Sequence, residues 1–144
     1  MVDILHRVGM EGRTPDEVYE ALTTVDGLKA WWTGDTRDVD GTLQFRFGEG
    51  GFDMQVLEAV PGKRVLWEVV DGPAEWIGTT VRFDLTESEG FTIVLFAHEG
   101  WAEPVEFMYH CSTKWATYLV SLKQYVETGT GAPDPHELRV SNWR

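Results

Sequence analysis

A chain of 144 residues is long enough to bury one hydrophobic core and short for two domains. Apolar residues make up 42% of it and charged residues 25%, which excludes the polar composition of a disordered chain. The net charge is −12, from 24 acidic and 12 basic residues, so the average field repels nucleic acid and anionic membrane surfaces. We therefore predict one globular domain that binds neither nucleic acid nor membrane.

Cysteine usage and the N-terminal sequence bear on the compartment. Cys111 is the single cysteine, so an intramolecular disulfide is excluded and a reducing compartment is favoured. Residues 1–12 show no basic segment followed by an apolar stretch, which a secretory signal needs. No apolar run reaches the roughly 18 residues of a membrane span. These features predict a cytoplasmic protein.

The first third of the chain predicts one strand followed by two short helices. Residues 2–11 alternate between apolar and polar side chains, as a half-buried strand does. Thr14, Pro15 and Glu17 form the pattern of an N-cap, a first-turn proline and a capping box. Asp26-Gly27 is expected to interrupt this helix, and a second short helix is expected to end near Gly34.

Residues 42–99 change to a period of two and contain five strand-like runs separated by turn signals. The clearest run places Thr79, Val81, Phe83 and Leu85 on one face and polar residues on the other. The fifth run, residues 91–97, is apolar on both faces, so its inner face stays undetermined. Short connections between the runs predict an antiparallel meander with one face covered.

A long amphipathic helix is expected to provide that cover. Residues 105–127 carry apolar side chains at spacings of three and four, which predicts about six helical turns. Gly129 and Gly131 suit the end of the helix. Residues 1–131 are therefore predicted to form one domain, and residues 132–144 a loose C-terminal tail.

This order of elements resembles the START-like (SRPBCC, helix-grip) superfamily. Five segments carry a closer resemblance to the branch named after activators of a heat-shock chaperone ATPase: residues 14–19 (TPDEVY), 28–32 (LKAWW), 98–101 (HEGW), 115–122 (WATYLVSL) and 127–131 (ETGTG). Asp40-Gly41 departs from the double glycine that such proteins often show, although a turn still fits there. The resemblance implies an α+β helix-grip fold, in which a curved antiparallel sheet of six to seven strands wraps around the C-terminal helix.

The resemblance also implies a cavity between sheet and helix that takes a small apolar or aromatic molecule. Inward strand positions and the helix face supply the candidate wall, with three tryptophans at its mouth. The candidate ligand-binding residues are His6, Trp31, Trp32, Phe45, Phe47, Phe52, Met54, Trp67, Trp76, Phe83, Met108, Ser112 and Trp115. Aromatic and methionine stripes also fill ordinary cores, and this alternative stays open. The small side chains of Ser112 and Ala116 favour a gap.

His6 is the one ionisable group expected inside the domain. An imidazole on an apolar face needs a hydrogen-bond partner, so a satisfied core histidine and a polar anchor for a ligand are both open interpretations. We expect His6 and Ser112 to orient the ligand.

Other polar residues do not form a recognisable chemical motif. His98, Glu99 and His110 lack the ligand number and spacing of a zinc site, and Cys111 is interpreted as structural. Residues 48–51 (GEGG) lie between two strands with no following helix, which indicates a hairpin and not a phosphate loop. We predict no catalytic residue, no metal and no cofactor.

The leading hypothesis is binding or transport of a small hydrophobic molecule. The resemblance suggests two alternatives: a protein that modulates a chaperone ATPase, or an enzyme of the cyclase, dehydratase or hydrolase type that uses the same cavity. Activators of the chaperone carry a further N-terminal domain, and this sequence begins at the first strand, so a chaperone partner is disfavoured. Enzymatic activity is also disfavoured, and a homodimer is left open.

Overall fold

The computed structural model describes residues 1–143, which form an α+β domain. Its strands are β1 (Val2–Glu11), β2 (Asp35–Val39), β3 (Thr42–Phe47), β4 (Gly50–Val60), β5 (Arg64–Asp71), β6 (Thr80–Ser88) and β7 (Phe91–Trp101). Its helices are α1 (Pro15–Thr23), α2 (Val25–Trp31) and α3 (Glu106–Thr128).

The strands form one antiparallel sheet in the order β1-β7-β6-β5-β4-β3-β2. Strands β2 to β7 are neighbours in sequence order because hairpin turns connect them, and β1 closes the row beside β7. One face of the sheet packs against the helices, and the buried aromatic side chains lie between the two layers. The predicted helix-grip fold, with two short helices after the first strand, is confirmed.

The two short helices meet at Thr24, not at the predicted break. Thr14 caps α1 with the expected capping box to Glu17. Thr24 Oγ1 accepts a hydrogen bond from Gly27 N at 3.0 Å and so begins α2 at Val25. The expectation that Asp26-Gly27 interrupts a helix is therefore wrong, because both residues lie in the first turn of α2.

Strand β2 is the element that the sequence pattern misses. Only Thr36 of its five residues is buried, so the segment lacks the alternation that marks a half-buried strand. It pairs with β3 along its whole length at the edge of the sheet. The sheet therefore has seven strands, at the upper end of the predicted number.

The orientation of β7 is decided by packing. Val94, Phe96 and His98 are buried and face the helices, whereas Leu95 points outward with 46% of its surface exposed. Phe96 contacts the Trp115 ring of α3 with centroids 4.6 Å apart. Thus the aromatic core joins the central strands to the long helix.

Residues 132–143 have neither helix nor extended strand, and they lie against the domain through specific contacts. Ala132 N donates to Ser121 Oγ at 2.7 Å, and Asp134 N donates to the Trp32 carbonyl at 2.8 Å. Further on, Glu137 pairs with Lys114. The segment predicted as a loose tail thus crosses the surface beside α3; its residue 144 lies outside the described part.

Replacing Gly27 by alanine tests the close approach of α1 and α2. A Cβ at this position would lie 2.7 Å from Ala21 O and 2.8 Å from Ala21 Cα, which are backbone atoms that cannot rotate away. We expect Gly27→Ala to lower the free energy of unfolding by about 2 kcal/mol, within the range for overpacking. Urea unfolding at pH 7 measures this change.

Gly34→Ala is the matched control, because a Cβ at Gly34 would meet none of the described atoms within 4 Å. This variant should stay within about 0.5 kcal/mol of the parent. Equal stability of the two variants would contradict the packing described for Gly27.

Candidate functional site

A cavity of about 780 Å³ opens beside the first half of α3. The hairpin between β3 and β4, the segment after β5, the helix and the C-terminal segment form its walls. They contribute Trp32, Phe47, residues 48–51, Phe52, Pro73, Trp76, Phe107, His110, Cys111, Lys114, Trp115, Tyr118, Asp134, Pro135, Glu137, Arg139 and Trp143. This volume lies within the usual range for small-molecule pockets.

Stacked aromatic rings form one wall of the cavity. Phe52 and Trp76 stack with centroids 4.4 Å apart, and Trp76 is nearly parallel to Trp115 at 6.0 Å. Trp32 lies 4.9 Å from the Trp115 ring and 6.1 Å from Phe47. Flat apolar surfaces of this kind favour a planar or apolar ligand.

Behind this wall, a chain of hydrogen bonds connects the Trp115 indole to the backbone of Trp76. Trp115 Nε1 donates to His98 Nδ1 at 3.1 Å. Because an indole N–H can only donate, Nδ1 of His98 is the acceptor and carries no proton. The proton of the ring is therefore on Nε2, which donates to Thr79 Oγ1 at 2.8 Å. The Thr79 hydroxyl then donates to the Trp76 carbonyl at 2.5 Å. The chain thereby connects α3, β7 and the segment that carries Trp76.

His98 is therefore a satisfied core histidine. Burial lowers the pKa of His98 from 6.5 to about 3, so the ring is neutral at neutral pH. Both of its nitrogens are occupied by protein partners, which leaves neither free for a metal. Within residues 1–143, no group of three or more His, Cys, Asp or Glu side chains is arranged to hold a metal ion.

Two titratable groups of the cavity wall are held in their neutral forms. Burial raises the pKa of the Cys111 thiol to about 12, so little thiolate forms at neutral pH. Burial, followed by the nearby charge of Glu137, raises the pKa of Tyr118 well above its ordinary value. Cys111 and Tyr118 thus present an S–H and an O–H group to the cavity.

The cavity wall also contains a polar cluster. Lys114 Nζ lies 3.0 Å from Glu137 Oε1 and 5.0 Å from the centre of the Tyr118 ring. Tyr118 Oη and Glu137 Oε2 are both buried, and neither makes a hydrogen bond of ordinary geometry within the described residues, although Glu137 is close enough to raise the pKa of Tyr118. The cavity thus combines an aromatic wall with a small polar cluster.

The structure brings five of the predicted site residues into this cavity: Trp32, Phe47, Phe52, Trp76 and Trp115. It buries five others in the core beneath: Trp31, Phe45, Met54, Trp67 and Phe83. Met108 and Ser112 line a separate shallow groove between β1 and α3. His6 Nε2 lies 3.0 Å from the Ser112 carbonyl and 3.2 Å from its hydroxyl, outside the main cavity.

The expectation that His6 is the one ionisable group inside the domain is wrong. His6 is partly exposed on the edge strand β1, whereas His98 is fully buried on β7, which has a neighbouring strand on each side. Sequence reasoning also passed over Phe107, Cys111, Lys114 and Tyr118, which line the cavity at helical spacings of three and four. The helical spacing of these four residues could have identified them from the sequence, whereas no sequence pattern marks Glu137.

The fold and cavity define a START-like helix-grip protein. More narrowly, the chain belongs to the family described as Activator of Hsp90 ATPase homolog 1-like protein, whose model matches residues 13–127. No curated protein matches the chain in sequence.

Solved structures agree with this assignment. The solution structure of the Aha1 dimer from Colwellia psychrerythraea is 45% identical, with a TM-score of 0.83 over 91% of this chain and 100% of that chain. SSP2350 from Staphylococcus saprophyticus is 18% identical, with a TM-score of 0.72 over 97% of this chain and 98% of that one. CalU16 from Micromonospora echinospora is 19% identical, with a TM-score of 0.70 over 92% and 77%. The last two show the fold alone.

None of the helices within residues 1–143 is long and apolar enough to cross a membrane.

The buried neutral His98 predicts a specific dependence of stability on pH. The unfolded chain takes up a proton near pH 6.5, and the folded chain does so only near pH 3. The stability that this difference supplies is complete above pH 6.5 and is lost as the pH falls towards 3. Between pH 7 and pH 5 we expect a loss of about 2 kcal/mol from this group.

Urea unfolding of the parent and of His98→Gln at the two pH values measures this contribution. The variant should be less stable at pH 7, and its loss between pH 7 and pH 5 should be about 2 kcal/mol smaller than that of the parent. His136→Gln, at an exposed histidine, is the matched control and should keep the parent's pH dependence. A pH dependence in His98→Gln equal to that of the parent would contradict the conclusion that His98 is neutral in the folded protein.

Proposed function

We propose that the chain binds or carries a small hydrophobic molecule in the cavity between the sheet and α3. The observation that supports this most is the 780 Å³ of space beside rings that stack on one another without filling it. An aromatic ligand that buries about 250 Å² there gains about 6 kcal/mol before the costs of association. Because these costs reduce the gain, millimolar affinity is the expected range.

The chemistry of the wall favours binding over catalysis. A general acid or base works best with a pKa near the operating pH. The pKa of Cys111 is instead raised to about 12, and that of Tyr118 is raised as well. These groups can donate hydrogen bonds to a ligand at neutral pH, but they are poorly suited to exchanging protons with it.

Native mass spectrometry of the purified protein, followed by denaturing extraction, is the first test. A stoichiometric apolar adduct would establish the role and give the chemical class of the ligand. Because weak ligands dissociate during purification, titration with the neutral fluorescent dye N-phenyl-1-naphthylamine complements it. Saturable binding is expected, and its absence would contradict the proposal.

The substitution Phe47→Ala tests whether the dye binds in this cavity. Phe47 contributes to the wall, and its removal takes away apolar contact worth about 1.5 kcal/mol, so the Kd of the dye should rise about tenfold. Phe91→Ala removes a similarly half-buried ring at the start of β7, outside the cavity, and should leave the Kd unchanged. Equal effects of the two changes would place the dye elsewhere.

Modulation of a chaperone ATPase is the second candidate. The 45% identity to the Colwellia psychrerythraea protein, which is described as Aha1, favours it. The measurement is the ATPase rate of a purified Hsp90 chaperone with and without an excess of this chain. A saturable increase would support the second candidate, and an unchanged rate would leave ligand binding as the proposed role.

We also propose that the chain forms a homodimer in the cytoplasm. The structure from Colwellia psychrerythraea is described as a dimer, which supports this assembly. The free thiol of Cys111 suits a reducing compartment. Sedimentation equilibrium should give twice the 16.3 kDa mass of one chain, and a monomer mass across micromolar concentrations would exclude the dimer.

A further inference from the structure

Among the residues that line the cavity, two side-chain oxygen atoms are buried without a hydrogen bond of ordinary geometry to the described part of the chain. Tyr118 is 3% exposed, and its Oη has no hydrogen-bond partner in the described part of the chain. The same holds for Glu137 Oε2, although Oε1 of that carboxylate lies 3.0 Å from Lys114 Nζ and the Glu137 side chain is close enough to Tyr118 to raise the pKa of that residue. Buried polar atoms usually have partners, so a pair of unused ones beside a cavity indicates a missing polar group.

A ligand group that pairs with both atoms has to donate one hydrogen bond and accept another. Tyr118 is protonated at neutral pH because burial raises its pKa, so its hydroxyl can donate a hydrogen bond. A glutamate carboxylate paired with lysine can only accept through its second oxygen. The subsite therefore presents one donor and one acceptor.

The charges of Lys114 and Glu137 further limit which ligand groups can bind between Tyr118 and Glu137. Lys114 already balances Glu137, and Lys114 also lies 5.0 Å from the centre of the Tyr118 ring. An ammonium group would bring a second cation beside Lys114 and could not accept from Tyr118. A carboxylate would face Glu137 without a proton to donate. A hydroxyl group donates and accepts, and it carries no charge.

We propose that Tyr118 and Glu137 form a polar anchor that binds the hydroxyl group of an aromatic ligand. The ligand hydroxyl donates to Glu137 Oε2 and accepts from the Tyr118 hydroxyl, while its ring lies against the aromatic wall. This inference rests on the proposed ligand-binding function, and it specifies the class of ligand.

The hydrogen-bond acceptor of the anchor, Glu137, belongs to the C-terminal segment. Residue 137 lies beyond the part of the chain that the family model matches, which ends at residue 127. The C-terminal segment reaches the cavity because Ala132 N bonds to Ser121 Oγ and Asp134 N bonds to the Trp32 carbonyl. The acceptor of the anchor is therefore a feature of this chain's own C-terminal segment.

Three naphthalene derivatives of similar size test the anchor. 2-Naphthol donates and accepts, 2-methoxynaphthalene only accepts, and 2-methylnaphthalene does neither. Isothermal titration calorimetry of the full chain measures the Kd of each probe. We expect 2-naphthol to bind about tenfold more tightly than either other probe, as hydrogen bonds to a charged group and from a buried donor would provide.

Two variants assign this preference to the anchor. Tyr118→Phe removes one hydroxyl, and Glu137→Met removes the carboxylate at similar side-chain length. In each variant the advantage of 2-naphthol should fall to within about twofold, while the Kd of 2-methylnaphthalene, which reports an intact cavity, stays within about twofold of the parent. Tyr125→Phe, on the same helix but outside the cavity, is the matched control and should keep the preference.

The outcomes separate the two proposals. If none of the three probes binds, the ligand-binding function fails and the anchor fails with it. If all three bind equally well, the cavity binds ligands but the anchor is wrong. A preference for 2-naphthol that survives in both variants would place the hydroxyl elsewhere and would also overturn the anchor.

Discussion

Trp115 on α3 donates its indole hydrogen to His98 on β7, and this bond joins the long helix to the sheet. An indole N–H and an imidazole nitrogen are both costly to bury alone, so each requires the other. The chain continues through Thr79 to the backbone of Trp76. The positions of two cavity tryptophans thus follow from one hydrogen-bonded chain.

The cavity exists because its walls differ in how they are held. The aromatic wall is held by the His98 chain and by ring stacking. The other side consists of a glycine-rich hairpin, residues 48–51, and the C-terminal segment, residues 134–143. These segments carry few apolar side chains that could fill the space, which leaves a volume suited to a ligand.

Charge is divided between the two faces of the sheet. On the outer face Arg82 pairs with Glu99 at 3.0 Å and Arg64 pairs with Asp84 at 2.6 Å, and Arg82 also contacts Asp84. Between the inner face and α3, burial keeps His98 of the sheet and Cys111 and Tyr118 of the helix neutral. The strongly acidic chain therefore keeps most of its net charge on the surface, and in the cavity wall Lys114 and Glu137 balance each other as an ion pair.

The amino-acid sequence determined the order of elements, the capping box at Thr14, the inner face of β6 and most of the aromatic wall. These features follow from local periodicity and from capping chemistry, which short segments express on their own. Tertiary structure decided which histidine is buried, since His6 and His98 both lie in strands and only the sheet order shows that β1 is an edge strand whereas β7 has neighbours on both sides. It also brought Glu137 to Lys114, across 23 positions of sequence, through a segment with no periodic pattern. Contacts of that kind depend on the packed arrangement of the whole chain, so local sequence could not reveal them.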